Sequence, residues 1–374
     1  MDFNLTSEQE QLRDVARAYL STFCTGEFVR TAEKSSCGLE NETWRKMAAL
    51  GWHGLAESKE SLIELCVIAR ECGRCILPGA FLTNALCTFL ISSSASPSVR
   101  SRFLPVLIDG SEIHTYAVSE GNGTWDITSV NLRAVESDQG YALTGRKFAV
   151  PNMGDADYVH VFGRLPDGQL ADFILASSAT GLRSTDLKVI GGDSQAALKF
   201  ENVYVERENT VVIDEAVARE IECVANCLEC SYLVGLAERD LEITTAYAKE
   251  RIQFNKPIGS FQAVQHMCAD SVIDLDGMDV LVLEAIWATQ VSDSRRDEIV
   301  SMAKSWCGEA SRRIVSRGQQ IHGAFGFTGA SEVQLYFRRQ RRPAFFWGTP
   351  EAHRRTLVDL IQSARRLDIS VVGA

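Results

Sequence analysis

The residues whose type and spacing could do chemistry are thiols, a run of guanidinium groups and scattered carboxylates. Eleven cysteines occur among 374 residues. Cys72-Gly73-Arg74-Cys75 has C-x-x-C spacing, and Cys223, Cys227 and Cys230 have C-x3-C-x2-C spacing, so either set could gather a metal. A cluster-binding loop is normally glycine-rich and exposed. Here the three thiols recur at i, i+4 and i+7 in a helical stretch, which places them on one stripe. Free cysteine packs as a small apolar residue, so core packing is expected and no metal site. Arg338-Arg339-Gln340-Arg341-Arg342 could take a phosphate, but a helix face paired with local carboxylates is the simpler reading.

Charge and composition bound the classes. Lys and Arg number 38 against 49 Asp and Glu, a net charge of −11. Such a surface repels phosphate backbones, and no nucleic-acid partner is expected. Hydrophobic residues at 45% and charged residues at 23% describe a globular chain of two or three domains. The longest apolar stretches, such as Val280–Ala288 with Glu284 inside it, fall short of the ~20 residues that span a bilayer. Met1-Asp2-Phe3-Asn4 shows neither a basic n-region nor an apolar h-region, so a cytoplasmic chain without disulfides is expected.

The elements that must position these residues fall into three blocks. Residues 1–112 read as an all-helical domain. Thr6 or Ser7 caps a first helix carrying Leu12, Val15, Ala16 and Tyr19. Further helices are expected around Trp44–Trp52, Leu62–Ala69, Phe81–Ile91 and Pro97–Ile108. Residues 113–205 read as a β-barrel or sandwich domain. Its strands are His114–Val118, a strand-turn-strand over Tyr141–Val150, Tyr158–Phe162, Asp172–Ala176 and Ala197–Val205. Residues 206–374 read as a four-helix-bundle domain. Its helices are Ala216–Lys249, Phe261–Ala288, Glu298–Ile321 and Pro350–Ala364, with a further segment starting at Leu335.

Several stretches in this frame resemble one family. Arg251-Ile252-Gln253-Phe254-Asn255-Lys256-Pro257-Ile258-Gly259-Ser260-Phe261-Gln262 matches the R-x-Q-F-x-x-P-I-x-x-F-Q signature of the acyl-CoA dehydrogenases. Gln320-Ile321-His322-Gly323-Ala324-Phe325-Gly326-Phe327 is similar to the family's Q-x-x-G-G-x-G-[FY], with Ala324 for the second glycine. Tyr116–Asp126 resembles Y-x-x-T-E-P-x-x-G-S-D, and Lys147–Asn152 with Ala156-Asp157 resembles K-x-[WF]-I-T-N…A-D. The resemblance covers nearly the whole chain. It implies an acyl-CoA dehydrogenase-like fold, FAD as cofactor, an acyl-CoA substrate and an electron-transfer flavoprotein as acceptor. In the family FAD takes a hydride from the β-carbon while a carboxylate removes the α-proton. Each FAD lies between two chains, and the mate clamps its pyrophosphate and adenosine. Carried onto this sequence, the mate-donated set is Arg251, Phe254, Gln262, Gln320 and Gly323. A guanidinium suits it because it pairs bidentately with phosphate oxygens. Ser119, Thr349 and Glu351 are the other residues implied to bind FAD.

The departures fall elsewhere. Ser119 stands for the family's Thr, Gly121 for its Pro, Thr124-Trp125 for Gly-Ser, and Val150 at the place read as a Thr beside the reactive flavin nitrogen. The base usually lies in Y-E-G-T, nine residues after an Arg. Nine from Arg338 is Trp347, in Phe346-Trp347-Gly348-Thr349, and an indole accepts no proton. Some members carry the base on the helix before the Arg signature, at the place of Ala225. Glu222 and Glu229 lie one turn to either side and are the candidates left. Phe327-Thr328-Gly329-Ala330 lacks the Glu that one subfamily has there, and Glu332 lies only near it. The loop Leu55–Ser61 is short where the family has an acyl-pocket wall.

What is kept is what a mate donates, and what is lost is what a chain needs for its own flavin. That pattern resembles the subunit lacking the base in heteromeric α2β2 acyl-CoA dehydrogenases, whose members oxidise bulky CoA thioesters, including steroid side chains. Gln334–Arg339 and His353-Arg354-Arg355 look like the same subgroup. The expected partner is a second acyl-CoA dehydrogenase subunit. Three alternatives stand beside this: a self-sufficient homotetramer using Glu222 or Glu229, a flavin-dependent monooxygenase on the same fold, and a non-catalytic scaffold.

Overall fold

Six helices open the chain in the computed structural model, which describes residues 4–34 and 38–372. Met1–Phe3, read for a leader, lie outside the described residues. The helices are α1 (Ser7–Ser21), α2 (Gly26–Ala32), α3 (Asn41–Ala49), α4 (Leu62–Arg74), α5 (Phe81–Ser94) and α6 (Pro97–Ile108). Thr6 caps α1 in a capping box: its hydroxyl accepts from the Gln9 amide, and the Gln9 side chain accepts from the Thr6 amide. α5 is buried almost all round, so it forms the centre of this block.

The β block is a sandwich. One sheet has the order β1 (His114–Ala117), β4 (Tyr158–Arg164), β5 (Leu170–Ala176), β8 (Thr210–Val212), with β1 parallel to β4. The other has the order β2 (Ala134–Ser137), β3 (Gly140–Pro151), β7 (Gln195–Glu206), β6 (Leu182–Asp186) and is antiparallel. Leu143, Leu198 and Phe200 of one sheet and Val159 and Phe173 of the other fill the space between them. Tyr141–Val150, expected as strand-turn-strand, belongs to the single strand β3. Irregularities between Leu143 and Gly145 and between Lys147 and Val150 absorb the break that Gly145 suggested.

The final block is built on α7 (Glu215–Glu250), α8 (Gln262–Gln290) and α9 (Arg296–His322), with α12 (Pro350–Val372) against α9. A small hairpin, β9 (Ile252–Gln253) and β10 (Lys256–Pro257), joins α7 to α8, and the short helices α10 (Val333–Arg339) and α11 (Arg341–Phe345) precede α12. Asp214 caps α7 by accepting from the Val217 amide at 2.8 Å. α7 is the spine of the molecule, packing on α4, α8 and α9. Its approach to α4 needs glycine on both sides. A Cβ on Gly73 would lie 2.0 Å from the Tyr232 carbonyl oxygen, and one on Gly235 would lie 1.8 Å from that of Arg70.

Cys223, Cys227 and Cys230 are buried in this packing, as is Cys72, while Cys75 is half-buried. Among the described residues no group of His, Cys, Asp and Glu is placed to hold a metal ion. Three of the four arginines of the basic run meet carboxylates, and Arg341 lies over the Phe337 ring. Arg338 and Arg339 meet Glu33 at 2.9 and 3.6 Å, and Arg342 meets Glu229 at 3.0 Å. No helix among the described residues is long and apolar enough to cross a membrane.

Candidate active-site cleft

A cleft of about 390 Å³ opens where the loop 122–126 of the β block faces α7, the start of α9 and the turn before α12. Trp125, Glu222, Asn226, Asp297, Trp347 and His353 are among the residues lining it.

Trp347 closes its inner end. It is only 4% exposed, and its indole N–H donates to the Tyr116 hydroxyl at 3.0 Å. The Tyr116 and Trp347 rings are 5.0 Å apart, Trp125 lies 5.8 Å from Trp347, and Trp125 lies 4.3 Å from Phe346. Four aromatic side chains thus meet where the sequence resemblance would put the base and thioester. Burial pushes the Tyr116 phenol far above its ordinary range. The position therefore offers a neutral hydroxyl already bonded to an indole, and no proton acceptor.

The carboxylates that sequence spacing singled out separate in space. Glu222 lines the cleft and accepts from the Ile127 amide at 2.6 Å, which ties the loop carrying Trp125 to α7. Burial pushes its carboxyl up to about 8, against the opposing pull of that amide. Glu229 does not line the cleft. Both its oxygens face the Arg342 guanidinium, at 3.0 and 3.3 Å, and it is 3% exposed. A carboxylate so paired is a structural anion, and Glu229 is set aside as a base candidate. Glu332 lines a different cleft, beside Gly26 and Tyr336. Ala225 is buried in α7.

Val150 also needs correction. It is fully buried in the core between the two sheets, so it does not stand beside a flavin. In the register of Lys147–Asn152 the family's Thr falls on Pro151, which has no side-chain donor either. Ser119 is buried, and its hydroxyl accepts from the Gly121 amide at 3.5 Å. Lys147, fully buried, donates to the Val118 carbonyl and to Glu120, both at 2.9 Å, and so fixes β3 beneath this loop.

The set that the resemblance assigns to a dimer mate faces outward. Arg251 caps the end of α7, is exposed and makes no ion pair among the described residues. The hairpin turns at Phe254 and Asn255, with φ of 53° and 65°, and leaves Phe254 87% exposed. Gln262 begins α8 and Gln320 lies near the end of α9, both exposed. Gly323 ends α9 with φ +57° and open space around it. Thr349 and Glu351 have local work: the Thr349 hydroxyl accepts from the Ala352 amide at 3.1 Å, and Glu351 meets Arg354 at 3.3 Å.

Tested against an FAD, the two halves differ. The outward surface presents a guanidinium without an ion pair among the described residues, two exposed amide side chains and the exposed Phe254 ring, edge-on to Phe261 at 6.0 Å, a set that fits a pyrophosphate and adenosine arriving from a neighbour. The inward half does not fit as well. Val150 is turned away, and Trp125 and Trp347 occupy the inner end, while the Ser119 hydroxyl accepts from the Gly121 amide and keeps its own O–H to donate.

The short loop also differs from an open wall. It forms tight turns over His53–Glu57 and Lys59–Ser61 and is tied to the bundle. Lys59 donates to Glu220 at 2.9 Å and to Ser292 at 2.7 Å, and Gln290 donates to the Glu60 carbonyl at 2.8 Å. The sequence reading missed the Tyr116–Trp347 bond. The two residues are 231 positions apart, and nothing in either segment names the other.

Comparison with known proteins agrees with this architecture. Residues 6–111 match the family description "Acyl-CoA dehydrogenase, N-terminal domain", and residues 227–361 match "Acyl-CoA dehydrogenase, C-terminal domain". The chain is 26% identical over 363 residues to acyl-CoA dehydrogenase FadE27 of Mycobacterium tuberculosis, covering 93% of this chain and 95% of that one. It is 25% identical over 377 residues to benzylmalonyl-CoA dehydrogenase of Aromatoleum aromaticum, covering 94% and 97%. Among solved structures, a chain of the ChsE4–ChsE5 complex from Mycobacterium tuberculosis superposes with a TM-score of 0.87 at 25% identity, covering 97% of this chain and 99% of that chain. A chain of the Tcur3481–Tcur3483 steroid ACAD gives 0.87 at 28% identity, covering 96% and 99%.

Proposed function

The chain belongs to the acyl-CoA dehydrogenase family, oxidoreductases acting on the CH–CH bond of acyl-CoA, and on that premise we propose that it is the base-less subunit of a heteromeric member. Its partner is a second acyl-CoA dehydrogenase subunit that brings the carboxylate. FAD supplies the hydride acceptor for α,β-dehydrogenation in this family. This chain's part is to complete the partner's cofactor site. Arg251 neutralises and orients the pyrophosphate, Gln262 and Gln320 hold polar groups of the nucleotide, and Phe254 covers it from solvent.

The observation that carries this reading is Trp347, buried at the base position and bonded to Tyr116. The named likenesses to a two-protein complex and to a steroid ACAD support a heteromer and a bulky, ring-bearing acyl group. An electron-transfer flavoprotein or a similar protein is the electron acceptor. The test is acyl-CoA dehydrogenation by the isolated chain with an artificial electron acceptor. The reading predicts none, with activity appearing when the carboxylate-bearing subunit is added. Turnover by the isolated chain overturns it.

One observation favours a second reading. Glu222 lines the cleft with its carboxyl held at about 8, so it is mostly protonated at neutral pH and its carboxylate form, the proton acceptor on α7, grows as pH rises toward and past 8. In that reading the chain is a self-sufficient homotetramer, and Glu222→Gln abolishes its turnover.

A further inference from the structure

Two nitrogen donors, buried Lys304 and half-buried His353, converge on the turn that carries Trp347, and no role above uses them. Lys304 of α9 is fully buried. Its Nζ donates to the Pro343 carbonyl at 2.5 Å and to the Phe346 carbonyl at 2.7 Å. An amine placed this deep, bonded to carbonyls, costs desolvation free energy that its contacts must offset. Burial lowers its proton affinity. A neutral amine still has two N–H donors, so both contacts survive either protonation state. His353 of α12 closes from the other side. Its Nε2 donates to the Trp347 carbonyl at 2.8 Å, and its Nδ1 lies 3.3 Å from the Ser301 hydroxyl, from which a neutral ring accepts.

The backbone held this way would not hold itself. α11 ends with carbonyls that have no helical partner. Trp347 has φ +60° and Gly348 φ +112°, and a bulky aromatic residue in the left-handed region is strained. Gly348 has no room for a side chain, since a Cβ there would lie 2.6 Å from His353 Nε2. Three carbonyls, of residues 343, 346 and 347, are thus gripped from α9 and α12. The left-handed pair at 347 and 348 then turns the side chain of residue 347 toward β1.

We infer that Lys304 and His353 are positioning residues for position 347, fixing the turn Pro343–Gly348 so that the side chain standing there is delivered into the cleft beside the Tyr116 hydroxyl. The clamp fixes the backbone at residue 347, so the turn would aim whatever side chain stands there into the cleft. The meaning of this for catalysis rests on the proposed function. The clamp itself is read from the surroundings of Trp347, so its test succeeds or fails separately.

The experiment measures Trp347 emission and near-UV circular dichroism on the full chain, isolated in each background by difference from the Trp347→Phe counterpart. The backgrounds are the unaltered chain, Lys304→Met, His353→Ala and Arg313→Met. Arg313 lies on the same helix as Lys304 and pairs with Asp274, so it controls for general loosening. The clamp predicts a red-shifted Trp347 emission and a lost near-UV band in Lys304→Met. It predicts a smaller change of the same sign in His353→Ala and none in Arg313→Met. If Lys304→Met does not fold, His353→Ala decides, because it removes only one of the three grips on the turn and does so from a half-buried position. An unchanged Trp347 signal in the folded clamp variants, or an equal change in Arg313→Met, overturns the inference.

Discussion

The indole N–H of Trp347 donates a 3.0 Å hydrogen bond to the hydroxyl of Tyr116, joining the turn before α12 to β1. Both side chains are buried, so the bond satisfies two polar groups that would otherwise be stranded at the inner end of the cleft.

Removing the donor should therefore leave the Tyr116 hydroxyl unpaired. Trp347→Phe is expected to cost about 1–3 kcal/mol of stability. Trp347→Ala should cost more, about 3–5 kcal/mol, because it also leaves a cavity. Denaturant unfolding measures both. A loss below about 0.5 kcal/mol for Trp347→Phe would show that the bond is not made in solution.

The Arg342–Glu229 pair makes a second prediction. Arg342→Met strands a buried carboxylate and should destabilise the chain by about 3–5 kcal/mol. Arg342→Met combined with Glu229→Leu should recover part of that loss, because Glu229 no longer stands as a buried charge, while Asp193, 3.8 Å from Arg342, still loses its cation. Equal losses in the single and double variants would contradict the Glu229 pair as the source of the cost and assign it to the neighbouring Asp193.

These two pairs mark where sequence reading stops. α7, α8 and α9 were legible as long stretches able to hold helices, with the breaks marked by Gly259 and Gly323. The outward set was legible because Arg251 to Gln262 form one contiguous signature. Long-range contacts carry no such mark. Spacing alone gave Glu222 and Glu229 equal claims on the cleft. Packing gave Glu222 the cleft and Glu229 to Arg342, which stands 113 residues away. Val150 was misplaced by one register step along β3, and in a strand one step exchanges the faces. The hairpin β9–β10 was read only as motif, since Phe254-Asn255 lacks the glycine that usually announces a tight turn.

Acid should weaken the fold in a defined window. Burial is the main cause holding His53, His114 and His353 at about 4, below the ~6.5 of an unfolded chain. Their folded affinities are depressed, so the unfolded state binds more protons between these values and stability rises with pH there. The contribution is complete above about 6.5 and is lost as pH falls toward 4, by up to about 3 kcal/mol per site. His53→Phe removes one titrating group from a site already packed on Trp44 and Phe81, and should flatten the decline in melting temperature. An unchanged slope in that variant would contradict the assignment for His53.

The outward set and Glu222 are separated by substitution in the assembled dehydrogenase. Arg251→Ala should weaken FAD retention by about 10- to 100-fold, the value of a charge-assisted contact of roughly 1.5–3 kcal/mol. Glu222→Gln should leave kcat essentially unchanged, since the amide oxygen can still accept from Ile127. A fall in kcat of about 100-fold or more would instead be the loss of a general base. The second reading would then replace the first.

The central claim is that this chain completes another subunit's flavin site and does not run the reaction in its own cleft. The most direct measurement is the visible spectrum and solution mass of the chain purified alone, repeated after mixing with its carboxylate-bearing partner. The account predicts a colourless chain that gains flavin absorbance only in the mixed assembly. A yellow homotetramer carrying stoichiometric FAD without any partner would contradict it.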